Sequence, residues 1–277
     1  EIGNEDFGPV YWERYEKIYQ ALSAKYPDLV YIANSVIRVV GRENDDKRKD
    51  IPNFVNPKNV KVFDEHYYNS IEWACEQHYR FDNYKRGVAD LFIGELGING
   101  KYPYNLLATG AIRMSIERNG DLNPLFAERP VMRHWDFLEH RIFLPMLING
   151  VDSSVKTSFF YLAKMFRDNT FDVCLDAAIK DIEGLQNIFV RWDMIRPAKQ
   201  YILKLINLQD KKSHSTTGSF RLQTSHQAHK TSLVLVPGKE NTPFAPNEVQ
   251  PVETEVGLDL NQPFELEAAS MVVYRFK

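Results

Sequence analysis

Two glutamates, Glu5 and Glu95, stand where a pair of carboxyl groups could act on one bond. Each closes a strand-like segment: Ile2-Gly3-Asn4-Glu5 ahead of a helical pattern, and Ala89-Asp90-Leu91-Phe92-Ile93-Gly94-Glu95 at the end of an apolar run. Where strands and helices alternate in a barrel, catalytic groups gather at the C-terminal ends of the strands, so residues distant in sequence can line one pocket. Glycoside hydrolysis uses such a pair, with the carboxyl groups roughly 5–5.5 Å apart in retaining enzymes. Taken singly, an acid at a strand end more often caps the next helix or pairs with an arginine. The neighbours favour chemistry. Asn4 sets an amide beside Glu5 for a sugar hydroxyl, and Gly94 leaves room beside Glu95 for a ligand to approach.

The elements that must position these acids follow from periodicity. Residues 9–26 read as a helix, with Trp12, Tyr15, Ile18, Tyr19 and Leu22 on one face. Pro9 suits its first turn and Pro27 follows its end. Leu29-Val30-Tyr31-Ile32-Ala33 reads as a buried parallel strand, 60–68 as another, and 89–95 as a third. Helices are expected over 69–83, with Asn69 or Ser70 as cap, over 103–118 and over 153–167. Residues 122–127 read as a short strand, and the polar stretch 41–59 as a solvated loop. Beyond residue 170 the period changes to alternation, with Tyr201, Leu203 and Leu205 on one side and Ile202, Lys204 and Ile206 on the other. Residues 232–236 and 271–276 are further strands. The expectation is an α/β unit over 1–169 followed by an antiparallel β-sandwich over 170–277.

Composition bounds the function. The 277 residues are 44% hydrophobic and 26% charged, with a net charge of −3 and interleaved signs, so no basic footprint for nucleic acid is present. No apolar run approaches the ~20 residues that span a bilayer, so no membrane partner is expected. Cys75 and Cys174 lack metal-ligand or redox spacing and read as two buried free thiols. The seven histidines are scattered without ligand spacing, so no metal and no cofactor is expected. Trp12 and Tyr15 read as core, Glu65 as a structural partner, and Trp135, in the polar run Arg133-His134-Trp135-Asp136, as a substrate contact.

Several stretches, in order along the chain, carry a resemblance. They are Glu1-Ile2-Gly3-Asn4-Glu5-Asp6-Phe7, Tyr11-Trp12-Glu13-Arg14-Tyr15, Asp64-Glu65-His66-Tyr67-Tyr68, Phe81-Asp82-Asn83-Tyr84, Phe92-Ile93-Gly94-Glu95, Pro124-Leu125-Phe126-Ala127 and Glu240-Asn241-Thr242-Pro243. Together they resemble the C-terminal part of a glycoside hydrolase family 51 α-L-arabinofuranosidase. The resemblance implies a (β/α)8 TIM barrel, incomplete on its N-terminal side and entered at about strand four, and then the β-sandwich. It implies Glu5 as acid/base, Glu95 as nucleophile, Asn4 on the arabinose 2-hydroxyl, and His66 and Tyr68 lining the pocket. The acid/base should be protonated before attack and the nucleophile ionised.

The implied partner is an arabinose-containing polysaccharide or oligosaccharide, such as arabinoxylan or arabinan. A homo-oligomer is implied too, and the missing barrel half is expected from a preceding segment or another chain. Compartment is left open, with a secreted or periplasmic setting ahead of a cytoplasmic one. The rival readings are another retaining glycosidase of the same clan, a xylosidase or endoglucanase, and a catalytically inactive carbohydrate-binding fragment. Three features depart from the family: the absent first strands, Leu96-Gly97 after the nucleophile, and a shortened Gly120-Asp121-Leu122-Asn123-Pro124.

Overall fold

The computed structural model describes residues 1–34, 38, 39, 48, 51–136, 143–175, 187–210, 213–215, 225–260, 262 and 264–277. Of the stretch expected as a loop at 41–59, residues 41–47, 49 and 50 lie outside them. The chain divides into two compact units, residues 1–99 with 112–129, and residues 100–111 with 130–277.

The first unit is built on a parallel sheet. Strand β1 (Ile32–Asn34) and the short β2 (Arg38–Val39) both pair with β3 (Val62–Ser70), β3 pairs with β4 (Asp90–Asn99), and β4 with β5 (Leu125–Phe126), all in parallel. Ile2 adds a parallel bridge to Ala33 on the far side of β1. Helix α1 (Gly8–Lys25) carries Pro in its first turn as expected. Tyr11, Trp12 and Tyr15 are buried as expected, and Trp12 stacks on Phe63 of β3 with ring centroids 6.4 Å apart. The apolar stripe does not stay covered: Ile18 and Leu22 are exposed, because the sheet lies under only the first turns.

Three boundaries differ from expectation, each for a local reason. Leu29 and Val30 are exposed, and the strand begins only at Ile32, since Leu29 is still tied by its N–H to Tyr26 O at the helix exit. The helix expected over 69–83 is a single short helix, α2 (Ile71–Glu76), capped by the Ser70 hydroxyl on Trp73 N–H, followed by a 3-10 turn at Arg80–Asn83. The strand expected to end at Glu95 runs on to Asn99, because Leu96, Gly97 and Ile98 continue the ladder against Tyr67, Tyr68 and Asn69. Helix α3 (Tyr104–Arg118) matches its expected span.

The second unit holds a three-stranded sheet, β6 (Met132–His134), β7 (Leu147–Asn149) and β8 (Ser154–Lys156), and helix α4 (Ser158–Arg167). That helix starts later than expected: Ser154–Lys156 is strand, and the Thr157 hydroxyl accepts from Phe159 N–H to open the first turn. Strands β9 (Val173–Leu175), β10 (Ile188–Ile195), β11 (Gln200–Asn207), β13 (Ser225–Val234), β14 (Val252–Asp259) and β16 (Ser270–Phe276) form one antiparallel sheet in the order β14-β13-β16-β11-β10-β9. A separate pair joins β12 (Ser213–Ser215) and β15 (Phe264–Leu266). Residues 130–169, grouped by sequence with the barrel, cluster with this unit.

The alternation along β11 divides its side chains as expected, and both faces are covered. Leu203 and Leu205 join Ile188, Trp192, Ala228, Leu258, Val272, Tyr274 and Phe276 in one apolar cluster. Ile206 turns the other way, toward Leu162 and Phe166 of α4, and Gly110 is the residue that lets it approach. That face also buries Lys204, which lies 3.6 Å from the Asp193 carboxylate and over the rings of Phe166 and Phe171. Arg191 closes the cluster, 2.9 Å from Asp193. Cys75 and Cys174 are free as expected, though half-buried rather than buried.

A charged triad with no exposure is stable only while complete. Asp193→Ala removes an anion from beside two buried cations and is expected to destabilise the second unit by about 3–5 kcal/mol, read as a lowered denaturant midpoint. Asp193→Asn should cost less, because it keeps an acceptor in place.

Candidate active site

The site is organised along one face of β3. Alternation puts Asp64, His66 and Tyr68 on that face and Glu65 and Tyr67 on the other. The opposite face is filled by a buried set in which Tyr67 donates to Glu65, Arg80 Nε lies 3.2 Å from Tyr67 Oη, and the Arg80 guanidinium packs over Tyr67, Trp73 and Tyr84. Glu65 is therefore a structural partner, as its sequence context indicated.

Asp64 is fully buried and receives three donors. Asn34 Nδ2 of β1 is 3.1 Å away, Gly94 N of β4 is 2.8 Å, and His66 Nε2 is 2.6 Å. A Cβ at Gly94 would stand 2.4 Å from Asp64 Oδ1. This revises the expected role of Gly94: its missing side chain makes room for the Asp64 carboxylate rather than for a ligand. Glu1 also bonds to Asn34 Nδ2, at 3.0 Å. Its carboxyl is pushed up from the usual range, first by burial and then by the charge of Asp64.

The register between β3 and β4 shifts at this point. Asp64 is opposite Phe92, but His66 is opposite Glu95, so β4 carries one extra residue. Such a bulge re-aims a side chain. An unbroken ladder would have put Gly94 across from His66, whereas the bulge puts Glu95 there.

Glu5 arrives from the other direction. Ile2 N–H bonds to Ile32 O at 3.0 Å, and Asp6 N–H to Asn34 Oδ1 at 2.9 Å. The Tyr11 hydroxyl donates to Ile2 O and accepts from Asn34 N–H. Gly3 takes φ +96, where an added Cβ would lie 2.8 Å from the Tyr11 ring. Glu5 itself has φ 52, the left-handed region, which costs a non-glycine residue on the order of 1–3 kcal/mol and persists only when the surroundings enforce it.

His66 joins the two acids. Its Nδ1 is 3.1 Å from Glu5 Oε1 and 4.0 Å from Glu95 Oε2. Burial of the ring lowers its pKa, but hydrogen bonds to Asp64 and Glu5 and the charges of Asp64 and Glu95 outweigh that and push it up to about 9. At neutral pH the ring is an imidazolium that donates from both nitrogens. Tyr68 donates to Glu95 Oε2, and Arg129, just beyond β5, donates to the Tyr68 hydroxyl and lies 3.4 Å from the same Glu95 oxygen.

One carboxylate oxygen each of Glu5 and Glu95 lies within 4.8 Å of the other and of His66. Both side chains keep surface open, 25% for Glu5 and 30% for Glu95, so a ligand can reach them. Glu5, His66 and Glu95, and likewise Glu1, Asp64 and His66, are spaced closely enough to hold a cation. The His66 imidazolium already puts positive charge there, and a metal would first have to displace its proton.

Of the residues singled out by sequence, Glu5, Glu95, His66 and Tyr68 are brought together. Asn4 is exposed and takes no part in this hydrogen-bond set. Trp135 belongs to the second unit, packed on Ile148 and Val155 and edge-on to Phe244 at 5.7 Å. Sequence reasoning missed Asp64, Asn34 and Arg129. Asp64 was legible in principle, two residues before His66 on the same strand face.

Comparisons with known proteins bear on this arrangement. Residues 1–86 match the family described as "Alpha-L-arabinofuranosidase 1 domain". An extracellular exo-alpha-L-arabinofuranosidase of Streptomyces chartreusis is 31% identical over 173 residues, which cover 62% of this chain and 20% of that protein. Over these spans the chain is similar to α-L-arabinofuranosidases. A probable alpha-L-arabinofuranosidase A of Aspergillus flavus is 27% identical over 215 residues, covering 75% of this chain and 32% of that protein. The chain thus spans a fifth to a third of the curated family members it matches.

Its fold agrees with solved members of the family. An arabinose-bound family 51 α-L-arabinofuranosidase superposes with TM-score 0.74 at 17% identity, covering 96% of this chain and 43% of that one. The α-L-arabinofuranosidase of Thermotoga maritima, solved with arabinose, gives TM-score 0.71 at 10% identity over 96% and 61% of the two chains.

The His66 charge has a thermodynamic signature. Its pKa is raised on folding, so its contribution is complete below the unfolded value near pH 6.5 and is lost as pH rises through about 9. The shift corresponds to about 3 kcal/mol. Stability of the wild-type protein, measured by denaturant unfolding, should fall across that window. His66→Gln should flatten the profile there.

Proposed function

We propose that the protein is a retaining α-L-arabinofuranosidase that releases terminal arabinofuranosyl residues from arabinoxylan- or arabinan-type glycans. The observation that carries this is the approach of the Glu5 and Glu95 carboxylates to within 4.8 Å. That approach of one oxygen from each favours the roughly 5–5.5 Å spacing of a double displacement over the about 6.5–9.5 Å of inverting enzymes.

In this reading Glu95 attacks the anomeric carbon and forms a glycosyl ester. Glu5 protonates the departing oxygen, then takes the proton of the water that cleaves the ester. Tyr68 and Arg129 fix the Glu95 carboxylate by its Oε2 atom, leaving its other oxygen for attack. His66 presents Nδ1–H to Glu5 and holds that carboxyl in line. Asn4 binds the sugar 2-hydroxyl. The reaction needs no organic cofactor.

The parallel strands are read as strands four to eight of a (β/α)8 barrel, with the Ile2 bridge as strand four and β5 as strand eight, within residues 1–169. The antiparallel sheets of 170–277 then form a β-sandwich. The other barrel strands would come from outside residues 1–277, by a further segment or a second copy in an oligomer.

The two acids separate by their response to azide. With an aryl arabinofuranoside, Glu5→Ala should lose on the order of 10²–10⁴-fold in turnover and recover with azide, giving an arabinosyl azide of retained configuration. Glu95→Ala should lose turnover, and any azide product should be inverted. The reading fails if either variant keeps wild-type activity or the configurations are exchanged. Aryl xylosides and glucosides in the same assay test the rival substrates.

A further inference from the structure

The second unit contains a cavity outside the chemistry described so far. It has a volume of about 200 Å³ and lies between α4 and strands β13, β14 and β16. This is below the ~300–1,000 Å³ of sites for drug-sized ligands and suits one sugar ring. The carboxylate pair belongs to the other unit.

Its walls are chemically divided. Tyr161, Met165, Pro251 and Val273 give apolar surface. The polar side carries Lys164, His229 and Arg275 with Asp168 and Glu253; Lys164 is paired with Asp168, and His229 Nε2 lies 3.8 Å from Glu253. One buried polar atom there has no partner among the described residues, and a second side chain has an acceptor to spare. Arg275 Nε is buried without a hydrogen-bond partner, although the same guanidinium donates to Asp168 O through Nη2. Asn169, 8% exposed, donates its carboxamide nitrogen to Met165 O at 2.7 Å, while its oxygen accepts no bond among the described residues. A buried donor left unsatisfied costs about 1–3 kcal/mol, so such atoms mark places where a ligand group or water completes the set.

The balance of charge selects the ligand. An anion would meet the Asp168 and Glu253 carboxylates, and a cation would meet Lys164 and Arg275. A neutral polyol can bond beside these pairs without breaking them, because each hydroxyl both donates and accepts. The apolar wall can take the C–H face of a sugar ring. We propose that this cavity is a second glycan-binding site, for one neutral sugar unit of a saccharide chain, with Arg275 and Asn169 bonding its hydroxyls. The inference rests on this lining alone and does not require that Glu5 and Glu95 be catalytic.

The test is a methyl NMR titration of the whole chain, reading the Met165 methyl on the cavity wall. The ligands are neutral arabino- and xylo-oligosaccharides, free L-arabinose and D-xylose, and inorganic phosphate. Saturable movement of the Met165 signal with a neutral saccharide is expected, and it should persist in Glu95→Gln protein. Arg275→Met should weaken it by about 10-fold or more, the loss expected for a charge-assisted hydrogen bond, and Tyr161→Ala should weaken it independently. If no neutral saccharide moves Met165 in the wild-type protein, or if phosphate moves it and saccharides do not, the proposal is wrong. Neither outcome depends on hydrolytic activity, which is scored separately in the aryl glycoside assay.

Discussion

The Asp64 carboxylate is the constraint on which the first unit's site depends. A carboxylate without solvent exposure is unfavourable by several kcal/mol unless its oxygens are occupied. Here the occupants come from three strands: Asn34 on β1, His66 on β3 itself, and the Gly94 N–H on β4. Satisfying one buried charge therefore fixes the relative setting of the strands. It also protonates His66, because an imidazolium is the form that can donate both to Asp64 and to Glu5. The buried carboxylate is thus linked, through one ring, to the two half-buried acids.

Two further features serve the same end. The bulge between β3 and β4 turns Glu95, rather than Gly94, toward His66, while Gly94 remains the residue that Asp64 needs beside it. On the Glu5 side the backbone is held in a left-handed conformation by the Tyr11 hydroxyl and Asn34. Asn34 acts at both ends, bonding Asp64 through Nδ2 and the Asp6 N–H through Oδ1. The strained Glu5 backbone and the buried Asp64 charge are consequently supported by one side chain.

Much of this was legible in residue order, and the failures have physical causes. The strand and helix alternation of the first unit and the change to alternating strands near residue 170 follow from periodicity, which burial enforces. Glu5 and Glu95 were singled out because each closes a strand-like run of the sequence, and His66 and Tyr68 because the run Asp64–Tyr68 resembles a motif of the family. Strand β1 was placed too early because Leu29 and Val30 are apolar yet exposed, and composition alone does not show which apolar residues the sheet covers. The run of β4 beyond Glu95 was missed because an acid in mid-strand looks like a terminus. Gly94 was assigned to ligand approach, since only the three-dimensional position of Asp64 reveals the closer claim on that space. Arg129 follows a strand of two residues, too short to signal that its side chain points toward Glu95.

The likeness to α-L-arabinofuranosidases and the geometry of the site support one proposed account, in which Glu95 becomes covalently bonded to the sugar and Glu5 manages the proton. Trapping that bond is the most direct test. The protein would be incubated with an arabinofuranose-configured epoxide that alkylates an enzymic nucleophile, then digested and mapped by mass spectrometry. The account predicts a single stoichiometric adduct on the peptide containing Glu95, suppressed by free L-arabinose. An adduct on Glu5 or Glu65 with Glu95 unmodified would contradict it.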